Sequence, residues 1–232
     1  MKLCKILAVI LSLLLAAAIP AFSQRVDAGV DAGESFDRFG ALPQNTGAIF
    51  DAHGQVAIFK ANPKSQIPAI VAGAEAIFPV DTQNHAKEYA IFGGPEFQVK
   101  KLTIGFHVQI RKLVVPPSFV QNQFFVRDTM EFIEVPLVLK YKFGPEGRAF
   151  IEAQGAPEFG PRFHPPVGYT LPNPHIDHGY FIRASLGYNF GKFYAKATYQ
   201  TRYLKFNADP GNPNGLYNWR TNAITGGIGV TF

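Results

Sequence analysis

Cysteine is almost absent from the sequence, and the one thiol stands in a segment that we expect to be removed. Cys4 is the only cysteine among 232 residues. It precedes the first apolar run of the chain, whereas the cysteine of a lipoprotein follows such a run. We therefore expect a mature chain without a disulfide, a thiol nucleophile or a lipid anchor.

Long apolar runs are scarce as well, because the chain has a single one, residues 6–19. A helix that crosses a bilayer needs about 20 apolar residues, so a transmembrane anchor is the weaker interpretation. Two lysines precede the run, and the small residues Ala21 and Ser23 follow it. This arrangement predicts a secretory signal peptide over residues 1–23, cleavage before Gln24, and one mature domain over residues 24–232.

A net charge of one sign is also nearly lacking. Removal of the signal peptide leaves 20 of the 22 basic residues against 17 acidic ones, a net charge of about +3. This excess is small and scattered, so we expect no nucleic-acid partner. The abundant residues are glycine (22), proline (18), phenylalanine (22) and tyrosine (9), which favour strands and turns over helices.

Apolar and polar side chains alternate with period two over much of the mature chain. In residues 102–110, Phe106 and Val108 share one face while His107 and Gln109 share the other. The same alternation recurs over residues 26–33, 133–143, 180–190 and 193–203. Period two is the period of a β-strand, and in a membrane barrel the apolar face contacts lipid while the polar face lines the lumen.

Ten such segments are predicted as strands, over residues 24–36, 47–60, 67–78, 89–99, 102–114, 129–143, 148–159, 179–190, 193–206 and 222–232. Short links such as 100–101 and 191–192 alternate with long ones such as 115–128 and 160–178. Tight turns on one rim and long extracellular loops on the other are typical of bacterial outer-membrane barrels. The sequence therefore predicts an all-β fold: a single closed antiparallel up-and-down transmembrane β-barrel of about ten strands, in the outer membrane of a Gram-negative-type bacterium.

The C-terminal half also resembles a known family. FIEVPLVLKYKF (132–143), AFIEAQGAP (149–157) and the end GGIGVTF (226–232) are similar to strands of PorT-type outer-membrane β-barrel proteins. The resemblance covers about residues 129–232. Because members of that family are commonly drawn with about eight strands, eight is the alternative strand number.

The resemblance implies an outer-membrane location and little about activity, since a fold does not define a function. It implies contact with outer-membrane lipid and handling by periplasmic chaperones and the barrel-assembly machinery. That machinery would recognise the terminal strand through Ile228, Val230 and the aromatic last residue Phe232.

Charged residues of both signs occupy the predicted inward positions. The acidic ones are Asp27, Asp31, Asp51, Glu75, Glu96, Glu134, Glu152 and Glu158, the basic ones are Arg111, Lys140, Lys142, Arg183, Lys196 and Arg202, and His53 and His107 lie beside them. A wide ion channel would favour one sign, whereas a narrow barrel needs its buried charges paired. We therefore predict a charge network in a lumen largely filled by side chains, and a structural or surface-interaction role. The alternatives are a small porin or solute channel and, second, a barrel enzyme such as a rim protease or lipid hydrolase.

Catalytic residues, cofactors and metal ligands are not assigned. His164, His175, Asp177 and His178 fall in one predicted loop, and imidazole and carboxylate groups can bind zinc or copper. Their spacing matches no metal motif, and no nucleophile motif surrounds any serine. The proline-rich segments 155–174 and 209–215 are predicted as loops, because proline removes a ladder donor, and such loops could bind an unidentified surface ligand.

Overall fold

The computed structural model describes residues 25–40, 43–59, 67–116, 129–163, 176–206 and 218–232. Its strands are β1 (Val26–Phe39), β2 (Asn45–Phe59), β3 (Ala69–Pro79), β4 (Lys87–Val99), β5 (Leu102–Phe106), β6 (Val108–Val114), β7 (Thr129–Glu134), β8 (Leu137–Phe143), β9 (Ala149–Phe163), β10 (Ile176–Phe190), β11 (Phe193–Phe206) and β12 (Asn218–Thr231). The predicted signal peptide lies outside the described residues, as do residues 61–66, which connect the second and third predicted strands. None of the described residues belongs to a helix long and apolar enough to cross a membrane.

The twelve strand segments form ten strands of one barrel. β5 and β6 pair with the same neighbour, β4, and their pairing with β8 and β7 keeps one register across the interruption. The N–H of His107, which stands between β5 and β6, still donates to the carbonyl oxygen of Pro136 at 3.1 Å. β5 with β6 therefore makes one strand, and β7 with β8 makes another. The prediction of ten strands is confirmed over the alternative of eight.

The first and last strands close the barrel. β1 pairs antiparallel with β12 from Asp27 opposite Thr231 to Phe39 opposite Trp219. At the rim, the Val26 N–H donates to the Phe232 carbonyl at 3.0 Å, and the Phe232 N–H donates to the Val26 carbonyl at 2.9 Å. Among the described strands, closure gives each strand a neighbour on both sides, which is the condition for crossing a bilayer with strands. The predicted closed antiparallel barrel is confirmed.

Proline accounts for both interruptions. Pro95 in β4 lies beside the junction of β5 and β6, and Pro157 in β9 lies beside the junction of β7 and β8, which itself contains Pro136. A proline has no N–H, so the ladder loses one bond locally while the strands continue. The prediction that the proline-rich segment 155–174 is a loop was therefore wrong for its first part, which lies in β9. β9 runs through Pro157 to Phe163 and pairs with β10 along the way.

The short connections lie at one end of the barrel, which we call the short-turn end; the opposite end is the long-loop end. A two-residue turn joins β4 to β5, and a second one, Gly191 and Lys192, joins β10 to β11. Gly191 has a φ of +81°, a left-handed conformation that glycine adopts without a steric cost. Both chain termini of the barrel, Val26 and Phe232, lie at the short-turn end as well.

The outer face carries a belt of apolar side chains over most of the barrel height. Val108 is 58% exposed, Leu186 57% and Ile228 71%, although all three are aliphatic. Aromatic side chains lie toward both ends of the belt: the rings of Tyr188 and Phe190 lie 4.9 Å apart toward the short-turn end, and those of Tyr180 and Tyr203 lie 5.6 Å apart toward the long-loop end. A continuous apolar surface of this kind is far larger than a water-soluble monomer exposes, and it matches a lipid-facing surface.

The polarity of the alternation reverses at the long-loop end. Here the outward side chains are charged and exposed, among them Arg38, Lys112, Lys205 and Arg220. The inward side chains are apolar and buried: Phe39, Leu113, Met130, Phe132, Leu204, Phe206 and Trp219. This end therefore has a polar exterior and an apolar interior, as a water-soluble barrel has.

Candidate functional site

The lumen is the candidate functional site, and its inward side chains form three levels. From the short-turn end upward these are a polar cavity, a layer of ion pairs that we call the central layer, and the apolar cluster at the long-loop end, which we call the plug. Each level is built by the same alternation, because every second residue of each strand points inward. The levels differ only in which side chains stand at those positions.

Arg111 on β6 is the hub of the central layer. Its guanidinium donates to Glu88 at 2.8 Å, to Glu75 at 2.9 Å and to Glu134 at 3.1 Å. Arg111 and Glu134 are fully buried, and Glu75 and Glu88 nearly so. A buried charge is tolerable only when it is paired and hydrogen bonded, and here one guanidinium serves three carboxylates.

Two further arginines complete the central layer. Arg202 on β11 lies 2.6 Å from Glu88 and 2.5 Å from Glu158, while Arg183 on β10 donates to Glu75. The three guanidinium carbons stand 5.0 to 5.3 Å from the centre of the Phe181 ring. The ring thus supplies a cation–π partner in the middle of the cluster. Together these side chains link β3, β4, β6, β7, β9, β10 and β11 across the lumen.

The cavity below the central layer opens toward the short-turn end and has a volume of about 100 Å³. Glu96, His107, Lys140 and Glu152 line it. Lys140 lies 3.3 Å from Glu152, and the His107 imidazole lies 3.5 Å from Glu96 and stacks on Phe92. The cavity is therefore polar and of mixed charge, with no excess of one sign at its wall.

The plug closes the lumen above the central layer. Leu113, Met130 and Leu204 have no exposed surface, and Phe39 and Trp219 are almost as deeply buried. The Phe39 ring centre lies 6.2 Å from that of Phe206 and 6.4 Å from that of Trp219. Among the described residues at this level, the inward side chains are packed against one another and expose almost no surface to water.

The structure distributes the sequence-predicted network residues between two levels. Glu75, Arg111, Glu134, Arg183 and Arg202 meet in the central layer. Asp27, Glu96, Lys140, Glu152 and Lys196 line the cavity, and Asp31 lies beside Lys196. Ile228, Val230 and Phe232 lie on β12 or directly after it, beside β1.

Sequence reasoning missed Glu88, because it was assigned to a link. Its position continues the inward alternation of Glu96 and Ala90 on β4, and this signal could have found it. Of the loop residues, Asp177 and His178 lie on the outside of the barrel, with 2.9 Å between Oδ2 and Nδ1, and His164 and His175 lie outside the described residues.

A separate buried pair joins the connection between β3 and β4 to the barrel wall. His85 Nδ1 lies 2.6 Å from Asp37 Oδ2, and both side chains are 1% exposed. Gly47 on β2 makes room for the imidazole, since a Cβ there would overlap His85 Nε2. The hydrogen bond to Asp37 raises the pKa of His85 above its usual range, although burial acts in the opposite direction.

This pair gives a titration that can be measured directly. A raised pKa means that the contact stabilises the folded connection most fully below the unfolded pKa of about 6.5, and that this contribution is lost as pH rises through the folded pKa. We expect Asp37→Asn to lower the pKa of His85 in an NMR titration of the imidazole. Asp81→Asn, which removes a more distant charge, should lower the pKa less. Equal shifts in the two variants would contradict the assignment.

The fold and the lumen define a class: the single-chain β-barrel with an apolar belt outside and polar side chains inside, which is the architecture of outer-membrane proteins. No family model and no curated protein matches the chain. The resemblance to PorT-type proteins therefore stays a prediction.

Solved structures similar to this chain are outer-membrane β-barrel proteins. The outer membrane protease OmpT from Escherichia coli is 11% identical, with a TM-score of 0.49, and 90% of this chain and 97% of that chain are covered. The attachment invasion locus protein Ail of Yersinia pestis is 10% identical, with a TM-score of 0.37 and coverages of 90% and 98%. The toluene transporter TodX of P. putida is 6% identical, with a TM-score of 0.28 and coverages of 90% and 89%. Likeness at this level carries no argument about activity, ligand or partner.

Proposed function

We propose that the chain is an integral outer-membrane β-barrel that conducts no solute and has a structural or surface-interaction role. The observation that carries the proposal is the filled lumen. The central layer crosses the bore with paired charges, and the plug closes it again above them. A solute channel needs a continuous polar path, whereas a barrel of about ten strands is narrow enough for side chains to fill.

The two faces of the wall support the membrane placement. The apolar belt fits lipid, and the polar exterior of the long-loop end fits water beyond the bilayer. We infer that this end projects from the membrane on the cell surface, because outer-membrane barrels carry their long loops there. Outer-membrane lipid is then the first partner of the belt.

The two ends of the barrel suit different partners. We propose that periplasmic chaperones and the barrel-assembly machinery handle the unfolded chain and recognise Ile228, Val230 and Phe232. At the long-loop end, exposed charges such as Asp177, His178 and Lys205 would contact an unidentified surface ligand, and Lys205 Nζ lies 3.7 Å from Asp177 Oδ2. Exposed polar positions held by a rigid barrel are suited to such contacts.

The porin and enzyme alternatives lack an observation of this kind in the part of the chain that the structure describes. The buried Ser185 hydroxyl, for example, is hydrogen bonded to the Thr198 hydroxyl at 2.9 Å rather than to a histidine.

Planar-bilayer recording tests the proposal. The full chain, refolded and shown by its heat-modifiable migration in SDS gels to be a barrel, should give no stable conductance steps. Vesicle flotation provides the control, because it shows that the protein has entered the bilayer and that silence is not a failure of insertion. A large, steady and weakly selective conductance from floated protein would overturn the proposal and favour a porin.

A further inference from the structure

One group of inward side chains on β1 and β2 borders the central layer. Asp31 and Asp51 stand opposite each other in the two strands, and His53 is two residues further along β2. One ligand atom of each side chain lies within 4.8 Å of the other two. Asp31 is 1% exposed and Asp51 is 5% exposed. Two carboxylates and an imidazole thus converge in the barrel wall beside the cavity.

These side chains are poorly satisfied where they stand. Oδ1 of Asp31, Oδ1 of Asp51 and Nδ1 of His53 are buried and have no hydrogen-bond partner among the described residues. His53 Nδ1 lies 3.6 Å from Asp51 Oδ1, and Arg183 lies 3.7 Å from Asp51 Oδ2. Buried acceptors without partners are costly, and one oxygen of each carboxylate faces this space without a donor.

Lys196 on β11 supplies the nearest positive charge. Its Nζ lies 3.1 Å from Asp31 Oδ2 and 3.1 Å from His53 Nε2. The neighbouring strands leave room for the acceptors, because Cβ atoms at Gly227 and Gly29 would overlap Asp31 and His53. The ammonium group of Lys196 thus stands beside the acceptor atoms of Asp31 and His53.

We propose that Asp31, Asp51 and His53 bind one divalent first-row transition metal such as Zn²⁺, and that the metal and the Lys196 ammonium exclude each other. Carboxylate and imidazole are ligands for these ions, and three protein ligands leave coordination positions that water can fill. The cavity provides that water and a route of entry, since His53 and Lys196 both line it. This metal site goes beyond the proposed function and does not depend on whether the barrel conducts.

The position of the proton on the His53 ring explains why the metal and the Lys196 ammonium cannot bind at the same time. A metal on Nδ1 requires the imidazole proton to reside on Nε2, where it can be donated to the Tyr194 hydroxyl at 3.3 Å. Lys196 can only donate to Nε2, so it cannot keep its present contact when that nitrogen carries a proton. Lys196 must then turn toward the cavity, where Glu152 offers a carboxylate.

Calorimetric titration of the full chain in detergent micelles with Zn²⁺ tests the site. We expect one Zn²⁺ per chain, with Asp31→Asn and His53→Ala each weakening binding roughly 10-fold or more, as for lost metal ligation. Lys196→Met removes the competing charge and should tighten binding by roughly 10-fold, the scale of one close charge interaction. His107→Ala is the matched control, because His107 lines the same cavity but lies outside the site, and it should leave binding unchanged.

Several results would overturn the proposal. These are no Zn²⁺ binding by the wild-type chain, full binding in Asp31→Asn and His53→Ala, or loss of binding in His178→Ala, which would place the metal on the exposed loop. Heat-modifiable migration in SDS gels shows which variants fold. If Asp31→Asn fails to fold, Lys196→Met decides: tighter binding supports the site, and unchanged or weaker binding excludes it.

Discussion

Replacing Arg111 with methionine is expected to lower the free energy of unfolding by about 3–5 kcal/mol, the cost of breaking a buried ion pair by removing one partner. The variant leaves Glu75, Glu88 and Glu134 buried around an apolar side chain. Trp219 is the only tryptophan and is buried in the plug, so its fluorescence reports unfolding in guanidinium chloride after refolding into lipid vesicles.

The neighbouring residue provides the matched control. Lys112 points outward, is exposed, and its Nζ lies 3.7 Å from Glu131 on the surface. Lys112→Met should cost no more than about 1 kcal/mol, the upper range for an exposed pair. A second test adds Glu134→Gln to Arg111→Met, which removes one of the three carboxylates that lose their contact with Arg111 and should restore part of the stability. Equal losses in Arg111→Met and Lys112→Met would show that the central layer does not stabilise the barrel.

Which residues face inward could be predicted from the sequence over most of the barrel height, because alternation has a simple physical meaning there. At positions such as Val108 and Ile182 an apolar side chain marks the lipid face, and at Arg111 and Arg183 a charge marks the lumen. Periodicity states only the face of the wall on which a residue lies. It does not give the partner across the bore, so the contact of Arg183 with Glu75, 108 residues apart, could not be predicted.

The long-loop end was harder to predict because apolar side chains face inward there and charged side chains face outward. Phe39 and Trp219 were assigned to links, yet they lie inside strands and form the plug. Outside the bilayer the exterior contacts water, so the apolar side chains turn inward as they do in a soluble barrel. If only outward apolar side chains are taken as the mark of a strand, the strands are predicted to end too early, as at Phe39 and Trp219. The pair His85 and Asp37 was missed for the same reason, since Asp37 was assigned to a link.

The candidate metal site depends on the register of the strand pair, which the period-two alternation does not give. Asp31 and Asp51 are both predicted to face inward, but only the pairing of β1 with β2 places them opposite each other. A shift of that register by two residues would keep both side chains in the lumen and separate the carboxylates. The register is set by the connection between the strands, which periodicity does not describe.

A charge introduced on the lipid face should damage the barrel far more than the same charge introduced one residue earlier on the lumen face. Val108 stands near the middle of its strand, is 58% exposed, and belongs to the apolar belt. Val108→Arg should cost about 2–4 kcal/mol, the range for arginine at the bilayer midplane. His107→Arg should cost clearly less, because the guanidinium would meet Glu96 and stack on Phe92 as the imidazole does. The two variants should be compared by guanidinium chloride unfolding in vesicles and by the yield of heat-modifiable protein. If both variants lost the same stability, the apolar belt would not be facing lipid, and the outer-membrane proposal would fail with it.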